Sequence, residues 1–202
     1  MDQLLNASKA GDLNSLYVAI GQNPYILVQI EDIPFVNTPL HIAASQGHIE
    51  FAVEIMRLKP SLARKSNQDG FSPIHLALQQ EHMELVLRLT DLDAELVRVK
   101  GREGVTPLHH VVQSGNLDLL SKFLSVCPQS IEDLTIRNET ALHIALKNNK
   151  LEAFKLLFDS LLSGFQDGDG NHQTKRILNL KDLHGNNLLH IISSQNKHQA
   201  SL

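Results

Sequence analysis

The chain has 202 residues, a formal net charge of −4, one cysteine and no tryptophan. The near balance of charge, with no basic block, argues against an electrostatic nucleic-acid binder, and the lone Cys127 excludes an internal disulfide framework and fits a reducing, cytoplasmic compartment. No apolar run approaches the ~20 residues of a membrane span, and Met1-Asp2-Gln3 leads straight into a helical pattern instead of a cleavable signal, so a soluble chain is expected.

Residues 1–35 read as a degenerate first unit. A helix over Leu4 to Ala10 meets a turn at Gly11, and Leu13, Leu16 and Ile20 supply the apolar stripe of a second helix. Then a heptapeptide appears that returns down the chain. Thr38-Pro39-Leu40-His41-Ile42-Ala43-Ala44 is followed by Ser72-Pro73-Ile74-His75-Leu76-Ala77-Leu78, Thr106-Pro107-Leu108-His109-His110-Val111-Val112 and Thr140-Ala141-Leu142-His143-Ile144-Ala145-Leu146, at spacings of 34, 34 and 34. A weaker copy, Asn187-Leu188-Leu189-His190-Ile191-Ile192, comes 47 residues later. A fixed period in this range predicts a solenoid of stacked supersecondary units.

Each place in the heptapeptide has a physical role. Thr, Ser or Asn at the first caps a helix by accepting from an orphan N–H, and Pro at the second is N1, where its missing donor costs nothing. The next aliphatic residue points into the stack, and small residues let helices approach. The histidine at the fourth place, found in all five copies, can bond its own cap hydroxyl and backbone groups of the adjoining unit. Two residues before the caps stand Gly70, Gly104, Asn138 and Gly185, types that tolerate the positive φ of a tight turn. The inter-helix turns fall at Gly47-His48, Glu81-His82, Gly115-Asn116 and Asn149-Lys150. The expected organisation is one domain over 1–202: a capping repeat at 1–35, repeats at 36–69, 70–103 and 104–137, a long repeat at 138–184 with a polar loop at 164–175, and an incomplete last repeat at 185–202. That last repeat is expected to expose an apolar flank around Leu188, Leu189, Ile191 and Ile192.

The Thr-Pro-Leu-His signature in strict register resembles the ankyrin repeat. The resemblance implies an all-α solenoid of helix-turn-helix units with short β-turn fingers. The connectors Asn23-Pro24-Tyr25-Ile26-Leu27, Lys59-Pro60-Ser61-Leu62-Ala63 and Cys127-Pro128-Gln129-Ser130-Ile131 replace the common Gly-Ala-Asp-Val-Asn link. They resemble those of the plant ankyrin family whose longer members carry a membrane-spanning carboxy-terminal PGG domain. The run from Pro34 to Ser45 and the segment from Phe71 to Gln79 are similar to the bian-da-type immune-regulatory members. What this implies is a part in plant defence signalling at the cytosolic face of a membrane, in a form here without a membrane segment.

Candidate chemistry is sparse. Five of the eleven histidines (His41, His75, His109, His143, His190) occupy the repeat's structural place, and equivalent residues of successive units stand about one layer, ~10 Å, apart, too far to share a zinc ion. Asp167-Gly168-Asp169-Gly170-Asn171 begins like a calcium loop, but His172 and Leu178 stand where Gly and Glu are required. Cys127 has no CxxC partner, and no phosphate loop or nucleophile elbow appears. No enzyme, metal or cofactor is expected.

Binding remains. Finger tips and the outward face of the first helices line the concave surface of such a stack, at fixed offsets from each cap. Those offsets select Pro34, Phe35, Asn37, Ser45 and Gln46; Gln68, Asp69, Phe71, Gln79 and Gln80; Arg102, Glu103, Val105, Gln113 and Ser114; and Ile136, Arg137, Glu139, Lys147 and Asn148. Phe35 and Phe71 are the sharpest candidates, since aromatic and Arg anchors dominate interfaces. The expected function is a non-enzymatic scaffold that binds a protein partner on this face. The alternative is the cytosolic part of a multi-span membrane signalling or channel-like protein.

Overall fold

The computed structural model describes residues 1–164 and 170–199, so the Asp167-Gly168-Asp169 run lies outside the described residues. Among the described residues there are thirteen α-helices, several 3-10 turns and no strand. The chain groups into two compact units, Met1–Arg102 and Glu103–Leu202, divided one residue from the repeat boundary at 103/104.

In the first unit, α1 (Asp2–Ala10) and α2 (Leu13–Gln22) form the capping pair. Its connector is a true helix, α3 (Ile26–Asp32), that buries Ile26, Leu27 and Ile30. The pairs α4 (Pro39–Gln46) with α5 (Ile49–Leu58) and α6 (Pro73–Gln79) with α7 (Met83–Leu92) follow. α4 lies between α1 and α6, and α5 packs on α7, so first helices form one layer and second helices another. Phe51, Ile55, Leu85 and Leu89 fill the second layer. Pro60–Arg64 is a 3-10 turn that starts at its proline and buries Leu62 and Ala63. Ala94–Arg98 makes the same turn without proline, its start held by Asp93 accepting from the Glu95 N–H.

The second unit repeats the plan with α8 (Pro107–Ser114), α9 (Leu117–Val126), α10 (Ala141–Lys147) and α11 (Leu151–Gly164). α10 packs between α8 and α13 (Leu188–Gln199), and α11 packs on α9. Two expectations are corrected here. The insertion expected as a loop over 164–175 ends one helix at Gly164 and contributes Gly170 onward to another, α12 (Gly170–Asn179), which buries Ile177; an apolar residue in a polar run is enough to dock one helical turn. The apolar flank around Leu188, Leu189, Ile191 and Ile192 is only partly exposed: Leu188 and Ile191 are buried, whereas Leu189 is 69% exposed.

The caps explain why the helices start in file. Thr38, Thr106 and Thr140 each accept from the N–H three residues on, and each histidine returns the contact. Thr38 N–H donates to His41 Nδ1 at 3.2 Å, Thr106 N–H to His109 Nδ1 at 3.1 Å, and Thr140 N–H to His143 Nδ1 at 3.3 Å. These are capping boxes with imidazole in the usual carboxylate place. Ser72 differs: its hydroxyl lies 2.7 Å from His75 Nδ1 but accepts no backbone N–H, so it caps the imidazole and not the helix. Replacing Thr106, which is wholly buried, by alanine should lower unfolding free energy by about 1–2 kcal/mol; an unchanged urea midpoint would contradict the cap.

Between repeats, a second bond recurs at the inter-helix turns. His48 Nε2 donates to the Lys9 carbonyl (2.8 Å), His82 Nε2 to that of Ser45 (3.1 Å) and Lys150 Nζ to that of Ser114 (3.3 Å). Each satisfies a carbonyl that the end of a first helix leaves unpaired. The preceding turn must leave room: a Cβ on Gly47, at φ 74°, would stand 2.8 Å from the His82 ring.

Candidate functional site

The second unit brings together seven of its nine sequence-selected residues, Asn148 among them and Ser114 and Ile136 left out. Glu103, Val105, Gln113, Arg137, Glu139 and Lys147 line one open cavity of about 270 Å³, with Thr135, Ile144 and Asn148. α8 supplies Gln113 and α10 supplies Ile144 and Lys147. Asn148 caps the end of α10, the fingers supply the rest, and the shape of the fingers is set at the base. Thr135 Oγ1 accepts from the N–H groups of Arg137 and Glu139, and the Ile136 N–H donates to the Glu103 carbonyl at 2.9 Å, tying one finger to the previous one. Glu103, at φ 58°, and Asn138, at φ 56°, take the left-handed conformation that turns the tips.

Electrostatics separate the cavity's charges into two kinds. Lys147 Nζ donates to Glu139 (2.6 Å) and to Asp182 (2.7 Å). Burial opposes its charge, but the two carboxylates outweigh it and raise its pKa. Burial likewise raises Asp182, yet the Lys147 ammonium and the N–H groups of Asn186 and His184 hold its carboxyl at about 2. Lys147 is thus tied to the wall by two carboxylates while its side chain remains 32% exposed. Arg137 and Glu103 are different: they pair at 3.1 Å with 60% and 47% of their side chains exposed. Such a pair contributes under about 1 kcal/mol, so either partner can be exchanged for a ligand group at little cost.

In the first unit the selection is less concentrated. An open cavity of about 500 Å³ is lined by Asn37, Ser45, Gln46 and Asp69 as read from the sequence, together with Lys9, His41, Ile42, Asn67 and Leu76. Phe35, Phe71, Gln79, Gln80 and Arg102 do not line it. Phe35 projects, 65% exposed and at φ 49°. Phe71 does not: it is half-buried with its ring 6.2 Å from that of His75, its N–H donates to Asn67 Oδ1, and its carbonyl accepts from His41 Nε2. Its role is at the base of the finger, and a Phe71→Ala loss of binding would carry a loss of stability with it. Gln79, Gln80 and Arg102 are exposed.

Among the repeated histidines, His41 bonds the following repeat, whereas His143 Nε2 is buried without a hydrogen-bond partner. His41 Nδ1 accepts from Thr38 N–H, which leaves its proton on Nε2, and Nε2 donates to the Phe71 carbonyl of the next repeat at 3.0 Å. Burial lowers its pKa to about 4. His143 is lowered by burial too, partly offset by the Asp182 charge. His190 makes the same box with Asn187 at the surface.

Two functional sets escape sequence selection. Asn67, Thr135 and Asp182 build the fingers by accepting from the N–H groups two and four residues on; their signal is a hydrogen-bonding side chain five residues before the caps Ser72, Thr140 and Asn187, where the caps Thr38 and Thr106 have Ile33 and Gly101. Ile42, Leu76 and Ile144 floor the cavities, and their signal is the place four residues after each cap.

Comparison with known proteins follows from this register. A model of ankyrin repeats, three copies in length, matches residues 4–99 and 84–167. The Arabidopsis thaliana protein called Ankyrin repeat-containing protein BDA1 is 41% identical over 70 residues, which is 35% of this chain and 16% of that protein. The matched stretch therefore covers a small part of the relative's length. Among the described residues no helix is long and apolar enough to cross a membrane.

Proposed function

The chain belongs to the ankyrin-repeat family, and from that premise we propose that the second-unit groove docks a segment of a partner protein. Members of this family are typically interaction scaffolds and not enzymes. The observation that carries the proposal is the convergence of Glu103, Val105, Gln113, Arg137, Glu139 and Lys147 on one cavity. The cavity is rigid at its fingers, which are bonded to their own bases and to each other, so little ordering cost opposes association. Arg137 and Glu103 stand at the rim as exchangeable charges, while Val105 and Ile144 give apolar contact below them.

The finer reading, an adaptor in plant defence signalling, rests on the bian-da-like segments Pro34 to Ser45 and Phe71 to Gln79 and on the similarity to the Arabidopsis relative. The test is affinity capture from plant leaf extract with the intact chain and with a Gln113→Ala/Arg137→Glu variant, followed by titration of the recovered protein. The proposal expects a partner bound at least about tenfold more weakly by the variant, whose melting temperature stays unchanged because both side chains are exposed. Equal affinity would remove the groove from the interface.

A further inference from the structure

The second-unit cavity has its cations paired, Lys147 with Glu139 and Asp182 and Arg137 with Glu103. The open first-unit cavity of about 500 Å³ is different. The charged side chains lining it are Lys9, in the last turn of α1, and Asp69, in the finger that precedes α6. Both are exposed. Asp69 is held through its N–H, which donates to Asn67 Oδ1, and the Lys9 carbonyl accepts from His48. Among the described residues neither charged group makes a hydrogen bond or an ion pair.

The register explains why these charges stay open. Lys9 stands at the place that Ser45 holds 36 residues on, and Asp69 at the place that Phe35 holds 34 residues back. Each therefore has a neutral counterpart in the neighbouring repeat. Asp12, the nearest carboxylate to Lys9 in sequence, is bonded to the Asn14 N–H and the Ser15 hydroxyl. Arg102 begins beside Gly70 but neither pairs with Asp69 nor lines the cavity. The two charges lie at opposite ends of α4, on which α1 and α6 both pack. Lys9 is with Ser45 and Gln46 at its close, and Asp69 is with Asn67 and Asn37 at its start, where the two amides are bonded to each other at 2.9 Å. α4 has eight residues, a length of ~12 Å. Between the ends, Ile42 and Leu76 form an apolar floor.

We propose that this cavity is a second docking site, taken by an extended segment of a partner protein. The segment sets an acidic side chain against Lys9, an apolar one over Ile42 and Leu76, and a basic one against Asp69. An extended chain covers ~12 Å in about four residues and turns residues i, i+2 and i+4 to the same side. The recognised pattern is therefore acid-x-apolar-x-base, in one chain direction. Side chains carry the selection, because a segment with either charge reversed meets repulsion at one end. The separation excludes a free amino acid, whose two charges sit on one residue. A phosphate of a nucleic acid or lipid would suit Lys9 and be repelled by Asp69. No residue lines both cavities, so this site stands apart from the second-unit groove.

The probes are synthetic peptides titrated against the intact chain by fluorescence anisotropy. They are Ser-Glu-Ser-Leu-Ser-Lys-Ser, its reversed sequence, versions with Glu and Lys closer together or farther apart, and controls carrying two Glu or two Lys. One of the first two should bind at least about tenfold more tightly than all the others. Lys9→Glu and Asp69→Lys should each weaken that peptide about tenfold at an unchanged melting temperature, since both side chains are exposed and unpaired. The double variant Lys9→Glu/Asp69→Lys should prefer the peptide of opposite order. Binding by none of the peptides below about 1 mM, equal binding by the like-charged controls, indifference to both single changes, or a fall in melting temperature that parallels the loss of affinity would each overturn the site. A peptide weakened by Gln113→Ala/Arg137→Glu and not by Lys9→Glu would lie in the second-unit groove, which would overturn this site and leave that one standing.

Discussion

His41→Ala should lower the unfolding free energy by about 3 kcal/mol, more than loss of any single cap hydroxyl. The imidazole is wholly buried and serves three groups on two residues at once. It accepts from the Thr38 N–H, lies 2.8 Å from the Thr38 hydroxyl, and donates to the Phe71 carbonyl of the following repeat. Alanine leaves a ring-sized void and strips the Phe71 carbonyl of that donor, so transfer, cavity and unsatisfied-group costs add. Because the Phe71 N–H and the Asn67 finger base belong to the same chain of contacts, amide exchange should rise across residues 67–75 as well as near residue 41. A urea transition shifted by less than about 1 kcal/mol, with exchange unchanged at residues 67–75, would show that the imidazole is a passenger.

Acid should destabilise the chain progressively between pH 6.5 and about 4, beginning well before its carboxylates titrate. His41 has an ordinary pKa of 6.5 when unfolded and is held at about 4 by burial in the fold. Its contribution is fully present above pH 6.5, because both states are then neutral. As pH falls the unfolded chain takes up the proton first, and stability is lost until the folded ring titrates near 4. The shift corresponds to roughly 3 kcal/mol over that window. His110 and His143 are lowered in the same direction, also by burial, and add to the slope. Asp182, held at about 2 against its ordinary 3.8, contributes stability that is lost only as pH falls below 3.8. Chemical denaturation at a series of pH values should show the histidine limb, and His41→Ala should flatten part of it. A flat profile from pH 6.5 to 4 would contradict the burial of neutral imidazole.

The period carried most of the fold. Thr38, Thr106 and Thr140 cap their helices because a hydroxyl there meets the same orphan N–H each time, and Gly70, Gly104, Asn138 and Gly185 all take positive φ. Other features turn on context that local pattern does not encode. Ser72 looks like its threonine counterparts, but only the geometry shows its hydroxyl bonded to the imidazole alone. Phe35, Glu81 and Glu103 adopt the left-handed region although their side chains disfavour it, because the turn is imposed by the repeat on either side. Helix α12 was hidden by its polar composition; a single buried Ile177 docks it on α11.

The candidate site divides in the same way. Offsets from the caps found seven residues that share the second-unit cavity, since outward faces follow from helical periodicity alone. They did not reveal that Lys147 is consumed by Asp182, a residue 35 positions away, nor that Phe71 folds back toward His75. Both depend on which neighbour a long side chain meets across repeats.

The most direct test of the docking surface is site-specific photo-crosslinking. A benzophenone amino acid at Gln113, on the groove, is compared with one at Ser121, exposed on α9. The groove reading predicts a discrete protein adduct from position 113 that unlabelled chain competes away, and none from position 121. Adducts from position 121 alone would place the partner on the other helices and contradict it.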